Sequence, residues 1–230
     1  MKTKIVYLIL SLFFIAKEGN AQKDKWIVLF DGTSTDKFRG YNMTSFPNEA
    51  WKIEDGALAT QTGVPNIDLV TKEAYKDFEL EFDWKVSKAG NSGVFFHMQE
   101  TLAHQSGNGN SPNWLDNYEF QLLDDINFND TAAIRSAGSL YDLIIPKNKI
   151  LKPVGEYNSG KLIVKGNHVE HWLNGNKVVQ YEMNSPEMKT LIAKSKFSKN
   201  PKYGQSPDGL IMLQHHGQKV WFKNLRVRRL

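Results

Sequence analysis

The run Phe78-Glu79-Leu80-Glu81-Phe82-Asp83-Trp84-Lys85-Val86 alternates apolar and charged residues along its whole length. Only an extended chain puts every second side chain on one face, so the run reads as a strand with one dry and one wet side. Such a strand needs paired neighbours and a second layer against its apolar face. The same period returns in Lys161 to Lys165, Val169 to Leu173 and Lys177 to Tyr181, and again in Trp221 to Val227. Gly166-Asn167 and Asn174-Gly175 lie between the three short strands and supply the positive-φ positions of tight hairpins. A single helix is expected from the N-cap Ser185, with Pro186 and Glu187 in its first turn and Met188, Leu191 and Ile192 on its apolar face. Many short strands and one short helix predict an all-β antiparallel sandwich.

The chain of 230 residues contains no cysteine. That excludes a disulfide scaffold, zinc–thiolate sites, iron–sulfur clusters, thiol nucleophiles and a lipidated cysteine, and it leaves the hydrophobic core, or a bound ion, to hold the fold. Lys2 and Lys4 precede an apolar run from Ile5 to Ala16, and Gly19-Asn20-Ala21 offers the small residues that a signal peptidase reads. Residues 1–21 are therefore expected to be a secretory signal, and residues 22–230 a single exported domain, periplasmic or extracellular. The apolar run is too short to span a bilayer, so no stable membrane span is expected. Loss of Lys2, Lys4, Lys17 and Glu18 lowers the formal charge from +4 to +2. With no basic run longer than Arg228-Arg229, nucleic acid is not an expected partner. Residues 104–117, rich in Gly, Asn and Ser, read as a long loop that could wall a binding site.

A set of phrases recurs in order along nearly the whole mature chain. They are Leu29-Phe30-Asp31-Gly32, Trp51-Lys52-Ile53-Glu54-Asp55-Gly56, Asp77-Phe78-Glu79-Leu80 and Gly90-Asn91-Ser92-Gly93-Val94-Phe95-Phe96. Tyr118-Glu119-Phe120-Gln121-Leu122-Leu123-Asp124, Gly138-Ser139-Leu140-Tyr141, Leu213-Gln214-His215-His216-Gly217 and Trp221-Phe222-Lys223-Asn224 complete the set. In this order the chain resembles the 3-keto-disaccharide hydrolase domain family of secreted bacterial proteins. The resemblance implies a concanavalin A-like jelly roll and a carbohydrate substrate. His97, Tyr157 and Lys223 depart from the family pattern, which often has Arg, Trp and Arg there.

A jelly roll commonly binds its ligand across one sheet, whose groove floor needs polar side chains at alternate positions of otherwise apolar strands. Three segments meet that description: Asn91, Gly93, Phe95 and His97; Glu119, Gln121 and Leu123; and Gln214 with His216. Asn91 and Gly93 also read as the turn into their strand, His216 as a turn histidine and His97 as a structural one. A bulge would exchange faces. Tyr141 is expected to be part core with its hydroxyl at the groove. Trp114, Trp172 and Trp221 read either as core or as sugar-stacking rings.

These segments give one convincing site carboxylate, Glu119, whereas ordinary glycosidases use a pair. The resemblance implies another route. A ketone at C3 of a sugar acidifies the C2 hydrogen, so the glycosidic bond can break by elimination and water can then add. The expected catalytic groups are Glu119, His216 and His97, and the expected sugar-binding groups are Asn91, Gln121, Tyr141 and Gln214. No cofactor is required by the sequence. A divalent cation on Glu119 and a histidine would polarise the ketone, and Asp124-Asp125 reads either as a Ca²⁺-binding pair or as a turn. The alternative function on the same fold is a non-catalytic, lectin-like carbohydrate-binding module. If the leader reading holds, N-terminal sequencing of the exported protein starts at or near Gln22; recovery of an intact Met1 terminus in the membrane fraction would refute it.

Overall fold

The computed structural model describes residues 25–100 and 116–230. The expected signal segment, Trp114 and most of the 104–117 loop lie outside the described residues. In chain order the strands are β1 Ile27–Phe30, β2 Phe38–Gly40, β3 Trp51–Glu54, β4 Ala57–Thr60, β5 Leu69–Thr71, β6 Phe78–Val86 and β7 Asn91–Met98. They continue with β8 Glu119–Leu123, β9 Asn158–Lys165, β10 His168–Leu173, β11 Asn176–Glu182, β12 Leu210–Leu213 and β13 Val220–Arg229. The helix α1 spans Pro186–Lys194.

Two antiparallel sheets form. The larger runs β11-β10-β9-β6-β13-β4-β3, with β1 paired to β13, and the smaller runs β2-β5-β12-β7-β8. The alternating strand lies near the middle of the larger sheet as β6. Its Phe78, Leu80, Phe82, Trp84 and Val86 point inward against Val94 and Phe96 of β7 and Phe120 and Leu122 of β8. The expected meander is β9-β10-β11, and Asn174 and Gly175 take φ of 48° and 81° at its second turn. Ser185 caps α1, its Oγ accepting from the Met188 N–H at 3.1 Å, and Met188, Leu191 and Ile192 pack on the core. A second, smaller apolar cluster of Tyr41, Val70, Phe95, Met98 and Met212 covers part of the smaller sheet's other face.

Several register shifts break the expected alternation, on β11 among others, where Val178 and Val179 are both buried; those on β7 and β13 move motif residues. On β7, Met98 pairs with Leu210 but Phe95 pairs with Met212, so Phe96 and His97 together oppose Ile211. His97 sits at φ 57° and its ring turns into the core, 5.0 Å from the Phe96 centroid and 6.4 Å from that of Phe78. Its Nε2 lies 2.8 Å from the Lys76 carbonyl oxygen. His97 therefore does not share the face of Asn91 and Gly93, and Met98 takes the place beside Phe95 instead. On β13 the register shifts between Lys223 and Arg226, with Asn224 at φ 53° and exposed, so Leu225 rather than Asn224 turns inward.

One buried polar group tests the packing directly. His171 is fully buried, stacked on Phe120 at 4.6 Å, and burial pushes its imidazole down to about 4. As pH falls, the unfolded chain takes up this proton first, so the stability contribution is complete above pH 6.5 and is lost on the way down through about 4. We expect wild type to lose melting temperature over that window more steeply than His171→Gln, by a difference of about 3 kcal/mol from linkage, read by calorimetry at stepped pH.

Candidate functional site

Pairing of β7 with β8 places Gly93 opposite Gln121, with Asn91 opposite Leu123 and Phe95 opposite Glu119. On β8, Phe120 and Leu122 turn to the core, which sends Glu119 and Gln121 to the other face. Beyond β8 the segment 138–141 runs back alongside it: Gly138 N–H bonds to the Gln121 carbonyl, Gln121 N–H to that of Ser139, and Tyr141 N–H to that of Glu119. Tyr141 is thereby fixed beside Glu119. On the opposite side, Gln214 N–H bonds to the Gly93 carbonyl at 2.9 Å, and the Ser92 hydroxyl donates to the Gln214 carbonyl at 2.8 Å. The chain then continues past β12 to His216.

The outcome is a small recess of about 90 Å³ lined by Asn91, Glu119, Gln121, Tyr141, Gln214 and His216. Six of the seven residues expected from the sequence meet there. His97 does not, for the reason given by the β7 bulge.

Glu119 is the dominant group of the recess. It is 5% exposed, and no described residue gives its carboxylate a hydrogen bond or an ion pair. Burial pushes its pKa up to about 8; the Lys196 ammonium opposes this and the carboxylate of Asp68 adds to it. Room for the carboxylate comes from Gly93, because a Cβ there would stand 2.2 Å from Glu119 Oε1. Asn91 Oδ1 is buried and finds no hydrogen-bond partner among the described residues, so the recess holds an unfilled acceptor as well. Gln121 is tethered by Nε2 to the Arg135 carbonyl at 3.3 Å, while its Oε1 accepts from Leu122 N–H at 3.2 Å. His216 is exposed, its Nδ1 3.0 Å from Gln218 Oε1 and its ring edge-on to Phe128.

Two groups that sequence reading missed complete the electrostatics. Lys196, in the turn after α1, donates from Nζ to Tyr141 Oη at 2.9 Å and lies 4.1 Å above that ring. Burial lowers its pKa, and the Tyr141 phenol is pushed up to about 12, first by burial and then by the Glu119 charge. No spacing in the sequence ties residue 196 to residue 141. Asp68, just before β5, is 5% exposed and accepts from His215 N–H at 2.6 Å. It pins the backbone between Gln214 and His216, and burial pushes it up to about 7. A lone Asp outside the alternating strands carried no signal for this.

Among the described residues no group of three or more His, Cys, Asp or Glu side chains comes together as a metal-binding set. Glu119 and His216 do share the recess, so one carboxylate and one imidazole are available to a cation there. Asp124 and Asp125 are already engaged. Asp124 accepts from Ala89, Ile126 and Asn127, and Asp125 from Ala137 N–H and Lys149 Nζ, so the turn reading accounts for both.

The Gly93 contact makes a sharp test of the site. Gly93→Ala is expected to fold with a modest loss of stability, about 1–3 kcal/mol of overpacking, because the atoms nearest that Cβ are Glu119 Cγ, Cδ and Oε1 rather than backbone. Activity or sugar affinity at the recess should fall by about 10²-fold, the usual effect of an ångström-scale misplacement.

The geometry can be set beside known proteins. Residues 25–228 match the family described as 3-keto-alpha-glucoside-1,2-lyase-like domain. A 3-keto-disaccharide hydrolase from Bacteroides thetaiotaomicron is 36% identical over 232 residues, covering 89% of this chain and 78% of that protein. A crystal structure of a protein from Parabacteroides distasonis, provisionally assigned as a glycosyl hydrolase, superposes with a TM-score of 0.80 at 31% identity over 89% of this chain and 94% of that one. A galectin-like protein from Bacillus subtilis, at 15% identity and a TM-score of 0.54 over 90% and 96% of the two chains, shares the fold alone and places the sandwich among the jelly rolls. On its length of match and its identity to these relatives, the chain belongs to the 3-keto-alpha-glucoside-1,2-lyase-like domain family.

Proposed function

We propose that the protein cleaves the glycosidic bond of 3-keto glycosides by elimination followed by hydration, and that it does so after export. The observation that carries the reading is a buried carboxyl group, with no hydrogen bond or ion pair from the described residues, at the floor of a recess ringed by amides, a phenol and an imidazole. Burying a carboxylate without a partner is costly, and a fold retains such a group where its chemistry is used. The bacterial relative named as a 3-keto-disaccharide hydrolase supports the substrate class.

In the proposed reaction Glu119 takes the C2 proton. The electron pair moves into a C2–C3 enolate, then re-forms the ketone as the C1–oxygen bond breaks and a C1–C2 double bond appears. The departing oxygen takes a proton from His216 or from the Lys196-supported Tyr141 hydroxyl. Water then adds its oxygen to C1 and a proton returns to C2, so the sum is hydrolysis. Gln121, Gln214 and Asn91 offer amides that both donate and accept, which suits sugar hydroxyls. A general base works best with a pKa near the working pH, and burial brings Glu119 to about 8.

Two signs follow from that raised value. Glu119 is protonated below about 8 and ionised above it, so base catalysis should rise with pH through this range. The folded state holds the proton over a range where the unfolded chain has released it, so this group contributes stability at low pH that is lost as pH rises from 4.5 through about 8. Glu119→Gln is therefore expected to lose about 10²–10⁴-fold in turnover of a 3-keto disaccharide, to lose the alkaline rise in kcat/KM, and to melt higher than wild type at pH 8. Equal turnover by both proteins would remove Glu119 from the mechanism; saturable sugar binding without product in wild type would favour the lectin-like alternative.

A further inference from the structure

The recess is not the only cavity among the described residues. A groove of about 700 Å³ lies on the outer face of the larger sheet, on the far side of the sandwich from Glu119. The strand register sets its composition. Trp172 pairs with Lys161, Lys161 with Glu81, Glu81 with Arg226 and Arg226 with Val28, so one row of outward residues crosses β10, β9, β6, β13 and β1. Four inter-strand steps make this row roughly 19 Å long. Short side chains line it at Ser159 on β9 and Gly175 at the β10–β11 turn, whereas Gly160 contributes backbone alone, since a Cβ there would meet the Phe82 ring in the core.

We propose that this groove binds a neutral oligosaccharide chain, as a second carbohydrate site independent of the recess. At one end the half-buried Trp172 indole is tethered, its N–H donating to Glu170 at 2.7 Å, with Lys161 and Lys177 Nζ 4.5 and 6.0 Å from the ring. An indole with polar neighbours is a usual platform for a sugar face. Toward the other end the lining turns polar: Arg226 Nε and Nη2 both bond to Glu81 Oε2, and Asn224 Nδ2 bonds to Asp83 Oδ2. Glu81 Oε1 and Asp83 Oδ1 are left with no donor among the described residues, on side chains already held in place. Fixed carboxylate oxygens with spare lone pairs accept well from hydroxyls. The lining carries Asp31, Glu81 and Asp83 against Lys161 and Arg226, a near balance that favours a neutral chain over a phosphorylated, sulfated or uronate-rich one.

The proposal rests on the carbohydrate reading above for its ligand class, and its test measures binding rather than turnover, so the two can fail separately. The full chain, labelled with ¹⁵N, is titrated with maltoheptaose, laminarihexaose and cellohexaose, and a heparin oligosaccharide serves as the anionic arm. The Trp172 indole N–H signal, assigned through Trp172→Ala, is expected to shift and saturate with at least one neutral sugar. Affinity, read by isothermal titration calorimetry because Trp172→Ala lacks the reporter signal, should fall about tenfold from wild type in Trp172→Ala and also in Glu81→Gln, which keeps the side chain's shape and guards against a misfolded first variant. The same shift should persist in Glu119→Gln. No movement of the Trp172 signal at millimolar neutral sugar, wild-type affinity in both groove variants, or movement with heparin alone would overturn the proposal.

Discussion

Antiparallel pairing of β7 with β8 is the constraint on which the candidate site depends. It puts Gly93 beside Glu119, and without that glycine the carboxylate would have no space. The same ladder passes hydrogen bonds outward on both sides. Gly93 accepts from Gln214, and Glu119 accepts from Tyr141, so the two strands hold the segments that carry the other pocket groups. A shift of one residue in this register would send Glu119 and Gln121 into the core and Phe120 and Leu122 to the recess. The core prevents this, because Phe120 lies against Phe82 and His171 and Leu122 is fully buried.

Buried polarity gathers at the recess and its support. Glu119 and Asn91 line it and Asp68 holds the His215 backbone beside it; all three are less than a tenth exposed, and the two acids carry raised pKa values. Each lowers stability unless a partner or a ligand satisfies it. The protein has no disulfide to offset this, so the aromatic core of Trp51, Trp84, Phe78, Phe96 and Phe120 holds the two sheets together. Polarity of this kind, concentrated on one face of the smaller sheet and supported by a dry interior, is the pattern expected of a functional site rather than a structural one.

Legibility from the sequence followed the length over which a pattern ran. Nine alternating residues on β6 sufficed to orient the whole strand, and Ser185-Pro186-Glu187 sufficed to start the helix. Asn91, Glu119, Gln121, Tyr141, Gln214 and His216 were legible as polar positions inside apolar or motif-bearing segments, and they meet in one recess. His97 was misread because one extra residue in β7 reverses every face beyond it, and two neighbouring apolar residues give no sign of where that residue lies. The bulge at Asn224 is the same effect on β13.

The sequence by itself determined the class of fold, the positions of the long strands and the helix, and which polar side chains face away from the core wherever no bulge intervenes, since period two and turn chemistry are local properties of the chain. The tertiary structure alone decided which strands became neighbours. Lys196 reaches Tyr141 across 55 positions, and Asp68 reaches His215 across 147. The row from Trp172 to Val28 exists only because five strands align in one sheet. Such contacts are set by sheet order, register and bulges, which depend on how all the strands pack at once, and no local pattern encodes them.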